Sequence, residues 1–361
     1  MAKANASTCK PILLLLVAFL GIICTECGEK TNSEQVKSKP SLPQGITMTV
    51  TANKEPIVHF RDASAGGIIT LKGDLDLLPI DFKKNINVDI YYGTDEFELK
   101  NKATAVLEDT EESFGALTIS FTARLNGLDD GEVYYFGIKA NYGKESPVEV
   151  ASVKFFTLPD GAVDLDLPSG NLWLSNNLGA TYPEESGDYY AWAETEPKKT
   201  NGLYNWSSYK WCDGSYDKLT KYCLSQWVGI VDNKNTIERE DDAATKKMGG
   251  SWHIASELEW SELLTKCQRE SIKYNGVPGV LFRSKNNPND NKKVIFIPAS
   301  GYYSGGQISD EYRCCYWSST CCESYSSYDA YYFTSEYSFY SKMSYSSRCL
   351  GLSIRPCRAK I

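Results

Sequence analysis

At 361 residues and a net charge of −8 with no basic cluster, the chain has room for about two domains and is unsuited to a nucleic-acid partner. Hydrophobic residues at 42% and charged residues at 23% match folded globular protein and exclude global disorder. His59 and His253 are the only histidines, so a His-rich metal site or His-based triad has almost no raw material. No metal ligand set, cofactor motif or catalytic constellation is read; the expectation is a protein that binds and does not catalyse.

The N-terminus carries an export signal. Lys3 and Lys10 precede PILLLLVAFLGIIC, an apolar run of signal-peptide length and short for a membrane span. Cys24 closes the run and Cys27 follows. This resembles a bacterial lipoprotein signal over residues 1–24, which implies lipidation at Cys24 and an outer-membrane lipoprotein facing the cell surface. Ile23 departs from the small residue such signals carry there. A soluble secreted form and a retained anchor are the alternatives. All three place the mature chain outside the cytoplasm, where disulfides among the twelve cysteines are permitted. The polar stretch Gly28–Gly45, with two prolines, reads as part of a flexible tether over 25–45.

From 46 to 158 short strands alternate with turns. NVDIYYG (Asn87–Gly93) and GALTISFTARL (Gly115–Leu125) have the period of half-buried strands, and VASVKFFTLP supplies a last strand. LDDGEVYYFGIKANYG (Leu128–Gly143) resembles the E–F corner of a fibronectin type III domain, with Leu128, Gly131 and Tyr134 at its spacing and Tyr134 as the tyrosine corner. Asp130 stands where proline is usual. The resemblance implies an all-β sandwich that acts as a spacer.

Residues 159–168, rich in Pro, Gly and Asp, read as a linker to a domain over 169–361. In that domain SELEWSELLTKC (Ser256–Cys267) is a helix with Ser256 and Glu259 as a capping box and Leu258, Leu263 and Leu264 on its buried face. An earlier helix covers EREDDAATKKMG and stops at Gly249–Gly250. KVIFIPASGYY and DAYYFTSEYSF read as strands, giving an α+β domain. LPSGNLWLSNNLGA, SGDYYAWAETEP, YNWSSYKWCDGS, DDAATKKMGGSWHIAS, IFIPASGYY, YWSST and GLSIRP occur in that order. Together they resemble a family of Bacteroidetes surface proteins with a C-type-lectin-like fold (Fibrobacter succinogenes major paralogous domain-like). Some members are targets of diversity-generating retroelements, whose C-terminal segment is rewritten from an adenine-rich template.

The segment 312–349 carries the mark of such rewriting. Asparagine recurs up to Asn291 and is then absent to the end. Changing the two adenines of an Asn codon reaches Tyr, Ser, Cys, Phe and Asp, but never Lys, Glu, Gln, Met, Trp or a stop. Trp317, Glu323, Glu336, Lys342 and Met343 are therefore template-fixed on this reading. The scarcity of His, Leu, Pro and Val needs a further bias or selection. Tyr and Ser also suit recognition, as in antibody paratopes. The candidate contact set is Tyr312, Cys314, Cys315, Cys321, Cys322, Tyr325, Tyr328, Tyr337, Tyr340, Tyr345 and Cys349. Strand parity would bury Tyr331 and Phe333 and point Tyr332 outward. Trp317, Arg355 and Pro356 match scaffold positions of the family. The partner is a protein or glycan at the cell surface, with the membrane reached through the lipid anchor.

Other readings fit less well. The two CC pairs lack structural-zinc spacing, and disulfides are expected instead, with Cys212–Cys223 a local bridge. Glu196-Pro197-Lys198 puts a cation where a calcium lectin needs a ligand. Asp241 and Asp242 read as solvated acids favouring a helix dipole. GGSW is similar to the fold-related formylglycine-generating oxidases, whose cysteine pair has no match here. His253 reads as a buried or turn histidine, and the aromatics of YYAWAE and YNWSSYKW as core. A fixed adhesin or glycan-binding module is the alternative within binding, and a fold-related oxidase the alternative outside it.

Overall fold

Alternating apolar side chains build the first half. Its strands are β1 (Thr47–Ala52), β2 (Ile57–His59), β3 (Asp62–Lys72), β4 (Ile86–Gly93), β5 (Asn101–Thr104), β6 (Val106–Ser113), β7 (Ala116–Asn126), β8 (Val133–Tyr142) and β9 (Val148–Phe156). One sheet has the order β1-β3-β7-β6 with β2 beside β3, and the other has β5-β4-β8-β9. Ile69, Leu71, Ile119, Phe121 and Leu125 of the first meet Val88, Ile90, Phe136 and Ile138 of the second in one core. Period-two alternation puts them on facing sides. Gly67 on β3 is required by close approach, because a Cβ there would lie 2.0 Å from the Thr51 carbonyl oxygen. At the turn into β8 the buried Tyr134 hydroxyl accepts the Asp129 N–H at 2.8 Å, with Leu128 buried and Gly131 at φ 65°.

The computed structural model describes residues 40–53, 55–198, 202–322, 328–336 and 340–360, all within one unit, Lys39–Ile361. Cys24 and the tether up to residue 39 lie outside the described residues. The tether's last stretch is seated on the sandwich: Leu42 packs on its core and its N–H donates to Glu145 Oε1 at 2.7 Å.

The second half contains β10 (Ala162–Asp164), β11 (Leu172–Leu174), α1 (Ala243–Met248), β12 (His253–Ile254), α2 (Glu257–Lys266), β13 (Cys267–Tyr274), β14 (Val277–Ser284), β15 (Val294–Pro298), β16 (Tyr302–Ser304), β17 (Gln307–Ser309), β18 (Cys314–Cys321), β19 (Asp329–Ser335), β20 (Ser341–Ser347) and β21 (Pro356–Arg358). Four antiparallel groups form: β10-β11-β21-β12, β13-β14-β15, β16-β17 and β18-β19-β20. Strand far exceeds helix among the described residues, 45% against 9%. The expected linker 159–168 is structured: β10 pairs with β11, and Val163, Leu165 and Leu167 are buried in the second half's core. Apolar residues at every second position drive that burial.

Helix α2 forms where its capping box places it, whereas α1 is shorter than the expected EREDDAATKKMG: Arg239–Asp241 is a 3-10 turn, and the α-helix starts only at Ala243. Ser256 and Glu259 make the reciprocal capping box of α2, and Asp242 caps α1, which ends at Gly249 (φ 71°). The buried face of α2 is Trp260, Leu263 and Leu264, one helical stripe. Leu258 is off that stripe and 76% exposed, against expectation. Asp241 and Asp242 are buried, not solvated: Asp241 accepts the Tyr222 hydroxyl at 2.7 Å and Lys221, and Asp242 accepts the N–H groups of Thr245 and Ile254, each at 2.8 Å. Arg355 is wholly buried and donates to Asn177 Oδ1 and to the carbonyls of Leu174, Ser175 and Phe296, all within 3.0 Å. Its loss of water lowers the guanidinium to about 10.

The two halves share a core. Tyr274, Leu281, Val294 and Phe296 of β13–β15 pack into the sandwich cluster. Asn275, at the β13–β14 turn, accepts the Val58 N–H at 2.8 Å and donates to the Val58 carbonyl at 2.7 Å. Beside it His59 stacks on Tyr182 at 3.9 Å between ring centroids.

Candidate ligand-binding surface

The C-terminal segment folds as the antiparallel sheet β18-β19-β20, and the parity of β18 explains its cysteines. Cys314 and Tyr316 face the core under α2, where Phe333, Trp260 and Phe282 lie. Cys315 and Trp317 face the opposite core with Tyr190, Trp192 and Ile354. Adjacent residues on a strand point to opposite sides, so this vicinal pair supplies one small apolar side chain to each of two cores. Cys321 joins the second core, where Arg348 approaches its sulfur.

The cysteines of the expected contact set are consequently not on the surface. Cys314, Cys315, Cys321, Cys322 and Cys349 are all buried: both faces of β18 are covered, and Cys349, beyond β20, packs in a separate cluster with Tyr204, Tyr209 and Cys223. Burial raises the thiols: Cys315 and Cys349 to about 12, and Cys314 well above its ordinary value. Among the described residues no two cysteines are joined by a disulfide. Instead of bridging, Cys212 donates to the Trp206 carbonyl and Cys223 to the Ser225 carbonyl.

The tyrosines divide between opposite ends of the sheet, separated by about 20 Å of strand. At the end where β18 begins, Tyr312 and Tyr340 are 77% and 66% exposed. Between them Arg313 bonds Glu336 at 2.8 Å, and the Lys342 ammonium lies over the Tyr340 ring at 5.5 Å. Tyr345, on edge strand β20 opposite Tyr331, is also exposed. At the other end Tyr328 is half-buried, edge-on to Tyr216 at 5.1 Å and Trp206 at 6.1 Å. Tyr325 and Tyr337 lie outside the described residues. Phe333 is buried as parity requires, but Tyr332 packs on Trp317 (6.2 Å between centroids) and does not point to solvent.

The excursion 202–232 between β11 and α1 adds exposed apolar groups that sequence reasoning passed over. Trp227 is 82% exposed and Tyr216 50% exposed, with Ile230 and Leu203 also out. The sequence reading places YYAWAE and YNWSSYKW in the core and makes no assignment for Tyr216 or Trp227, although both lie in the same aromatic-rich stretch. That assignment holds for Tyr190, Trp192, Tyr204 and Tyr209, which are buried. In the Glu-Pro-Lys stretch the Lys198 ammonium occupies the Glu194 carboxylate at 2.9 Å and the Ser208 carbonyl at 2.8 Å.

No protein-family model matches the chain, and no curated protein matches it. Among solved structures, the cycloalternan-forming enzyme from Listeria monocytogenes, in complex with a pentasaccharide substrate, shares 14% identity over 34% of this chain and 10% of its own, at a TM-score of 0.21. Astrotactin-2, a vertebrate-specific, perforin-like membrane protein, shares 14% identity over 32% and 22%, at a TM-score of 0.20. At these scores neither bears on fold or activity. No helix of the described residues is long and apolar enough to cross a membrane.

Proposed function

We propose that this chain is an exported, lipid-anchored bacterial surface protein whose C-terminal segment is a diversified ligand-binding surface for a protein or a glycan. On this reading Cys24 carries the lipid, a fibronectin-III-like sandwich forms the stalk, and a C-type-lectin-like domain displays the variable residues. The sheet orders β1-β3-β7 and β5-β4-β8-β9, with the Tyr134 corner, support the first domain identity. The capped α2 and the closing strand β21, which returns to pair with β11 and β12, support the second.

The observation that carries the reading is the division of the restricted alphabet by exposure. Tyr345 stands out on β20, and Tyr312 and Tyr340 stand out just before β18 and β20, beside a sheet packed on Trp260 and Trp317. Exposed tyrosine rings at and beside strand ends give large contact area at low entropy cost. The buried cysteines count as small scaffold residues, so the binding set narrows to Tyr312, Tyr328, Tyr340 and Tyr345 with Tyr325 and Tyr337. Sequencing the 3′ end of the gene across many cells tests this. Codons 312, 340 and 345 should vary while 314, 315 and 317 stay within small or fixed residues, beside an adenine-rich copy and a reverse transcriptase. An invariant segment with no copy nearby rejects diversification.

A dedicated glycan-binding module is the second reading, favoured by Trp227 and by the Tyr216–Tyr328–Trp206 cluster at the other end of the sheet. Loss of binding on a glycan array in Trp227→Ala, with none in Tyr312→Ala, selects it.

A further inference from the structure

Away from the tail surface, three side chains from three elements converge under the closing strand. His253 of β12 pairs across the ladder with Cys357 of β21, so the two project to the same side. Helix α2 starts just after β12 and brings Glu259, in its first turn, onto that pair. His253 Nε2 lies 3.0 Å from Glu259 Oε1 and 3.3 Å from Cys357 Sγ. All three donor atoms lie within 4.8 Å of one another.

The surroundings orient each donor. His253 Nδ1 meets the Ser251 carbonyl at 2.9 Å. A carbonyl only accepts, so Nδ1 holds a proton and the ring turns Nε2 toward the carboxylate and the sulfur. Glu259 Oε2 accepts the Ser256 N–H and hydroxyl at 2.7 and 2.8 Å, and Asn171 Nδ2 donates to Oε1 at 2.7 Å. Metal-binding histidines and carboxylates are held by partners of this kind. Cys357 is fully buried, whereas the His253 side chain is about one-third exposed, which leaves a route from solvent.

Donor chemistry selects the ion. Calcium and magnesium require oxygen ligands, while one thiolate, one imidazole and one carboxylate suit zinc. Tetrahedral zinc, with bonds of about 2.0–2.3 Å, keeps its ligand atoms roughly 3.2–3.8 Å apart. The two separations at Nε2, 3.0 and 3.3 Å, reach that range with movements of a few tenths of an ångström, and the carboxylate and sulfur, no more than 4.8 Å apart, reach it with a shift of at most about 1 Å. We propose that His253, Glu259 and Cys357 form a zinc site whose fourth position is open to water or an added ligand. Binding deprotonates the thiol and leaves Nε2 unprotonated, the protons passing to solvent. The ion would join β12, β21 and α2, locking the closing strand to the helix that supports the C-terminal sheet.

The test is metal binding by the reduced, metal-free whole chain, using cobalt(II) as probe and zinc as competitor. One cobalt per chain is expected at this site, with a thiolate-to-cobalt charge-transfer band in the near ultraviolet that zinc abolishes. Cys357→Ser should remove that band, and His253→Gln should weaken zinc by at least about tenfold. His253→Gln changes a partly exposed residue, so it keeps the test decisive if Cys357→Ser fails to fold. A band of undiminished intensity in Cys357→Ser assigns the metal to other cysteines, such as Cys24 and Cys27, and overturns the proposal. No cobalt uptake by the wild-type chain overturns it too, leaving a hydrogen-bonded helix cap.

Discussion

The Phe333 ring lies flat on the Trp260 indole, with centroids 4.6 Å apart and planes inclined by 4°. The contact joins the middle strand of the C-terminal sheet to α2, and both rings are excluded from solvent. Phe333 belongs to the alphabet reachable from an Asn codon, yet its position is a core position. Phe333→Ala should cost about 3–5 kcal/mol through the lost burial and the cavity left behind. Urea unfolding of the variant measures it, and a loss below about 1 kcal/mol would mean that the sheet does not depend on this stack.

The opposite result is expected a few residues away. Tyr312, Tyr340 and Tyr345 are each more than half exposed; Tyr340 lies under the Lys342 ammonium, and Tyr345 stands opposite Tyr331 on the next strand. Tyr312→Ser, Tyr340→Ser and Tyr345→Ser should each change stability by no more than about 0.5 kcal/mol. Thermal melts of the three variants check this. A scaffold that tolerates change there and resists it at Phe333 has the division of labour that a diversified surface needs.

Much of this was legible in the sequence. Alternation located β4 and β7, apolar and aromatic runs located β9, β15 and β19, and cap chemistry located α2 and the end of α1, because these signals are local. Leu258 was misassigned because a capping box fixes where a helix starts without fixing which stripe meets the core. Trp260 gave the alternative stripe. The cysteines were misplaced for a different reason: composition marks them as part of the restricted alphabet, and only tertiary packing, on each face of β18 for Cys314, Cys315 and Cys321 and against Tyr204 and Tyr209 for Cys349, buries them. The linker was misread because Pro, Gly and Asp mask the Val163–Leu165–Leu167 alternation. Least legible was the convergence of His253, Glu259 and Cys357, since a cross-strand pairing brings together residues 104 apart in sequence.

Asn275 makes the two halves mechanically continuous. Its side chain both accepts from and donates to the backbone of Val58, and donates to Glu184 Oε1 at 2.8 Å. With Tyr274 and Phe296 in the sandwich core, the wild-type chain should unfold in one cooperative transition. Asn275→Ala leaves the Val58 N–H and carbonyl without these partners and should cost about 1–3 kcal/mol. Differential scanning calorimetry should then resolve a broadened or split transition. A single sharp endotherm at an unchanged midpoint would rule out this coupling.

Asp166 should give the fold a defined acid limit. Its carboxylate holds the Lys293 ammonium, the Asn287 amide at 2.7 Å and the Ser284 hydroxyl at 2.7 Å, tying the segment after β10 to the β14–β15 connection. These partners, Lys293 foremost, lower the carboxyl from its ordinary 3.8 to about 2. The native state therefore binds this proton less readily than the unfolded chain. The resulting stabilisation is complete above the unfolded value and disappears as pH falls through about 2. Asp166→Asn cannot titrate, so the difference between its urea midpoint and that of the wild type isolates this group from the other carboxylates. The difference should be constant from neutral pH down to about pH 5 and should shrink steadily between about pH 4 and pH 2. A difference that stays constant across that interval would show that Asp166 acts through packing or neutral hydrogen bonds, with no contribution from its charge.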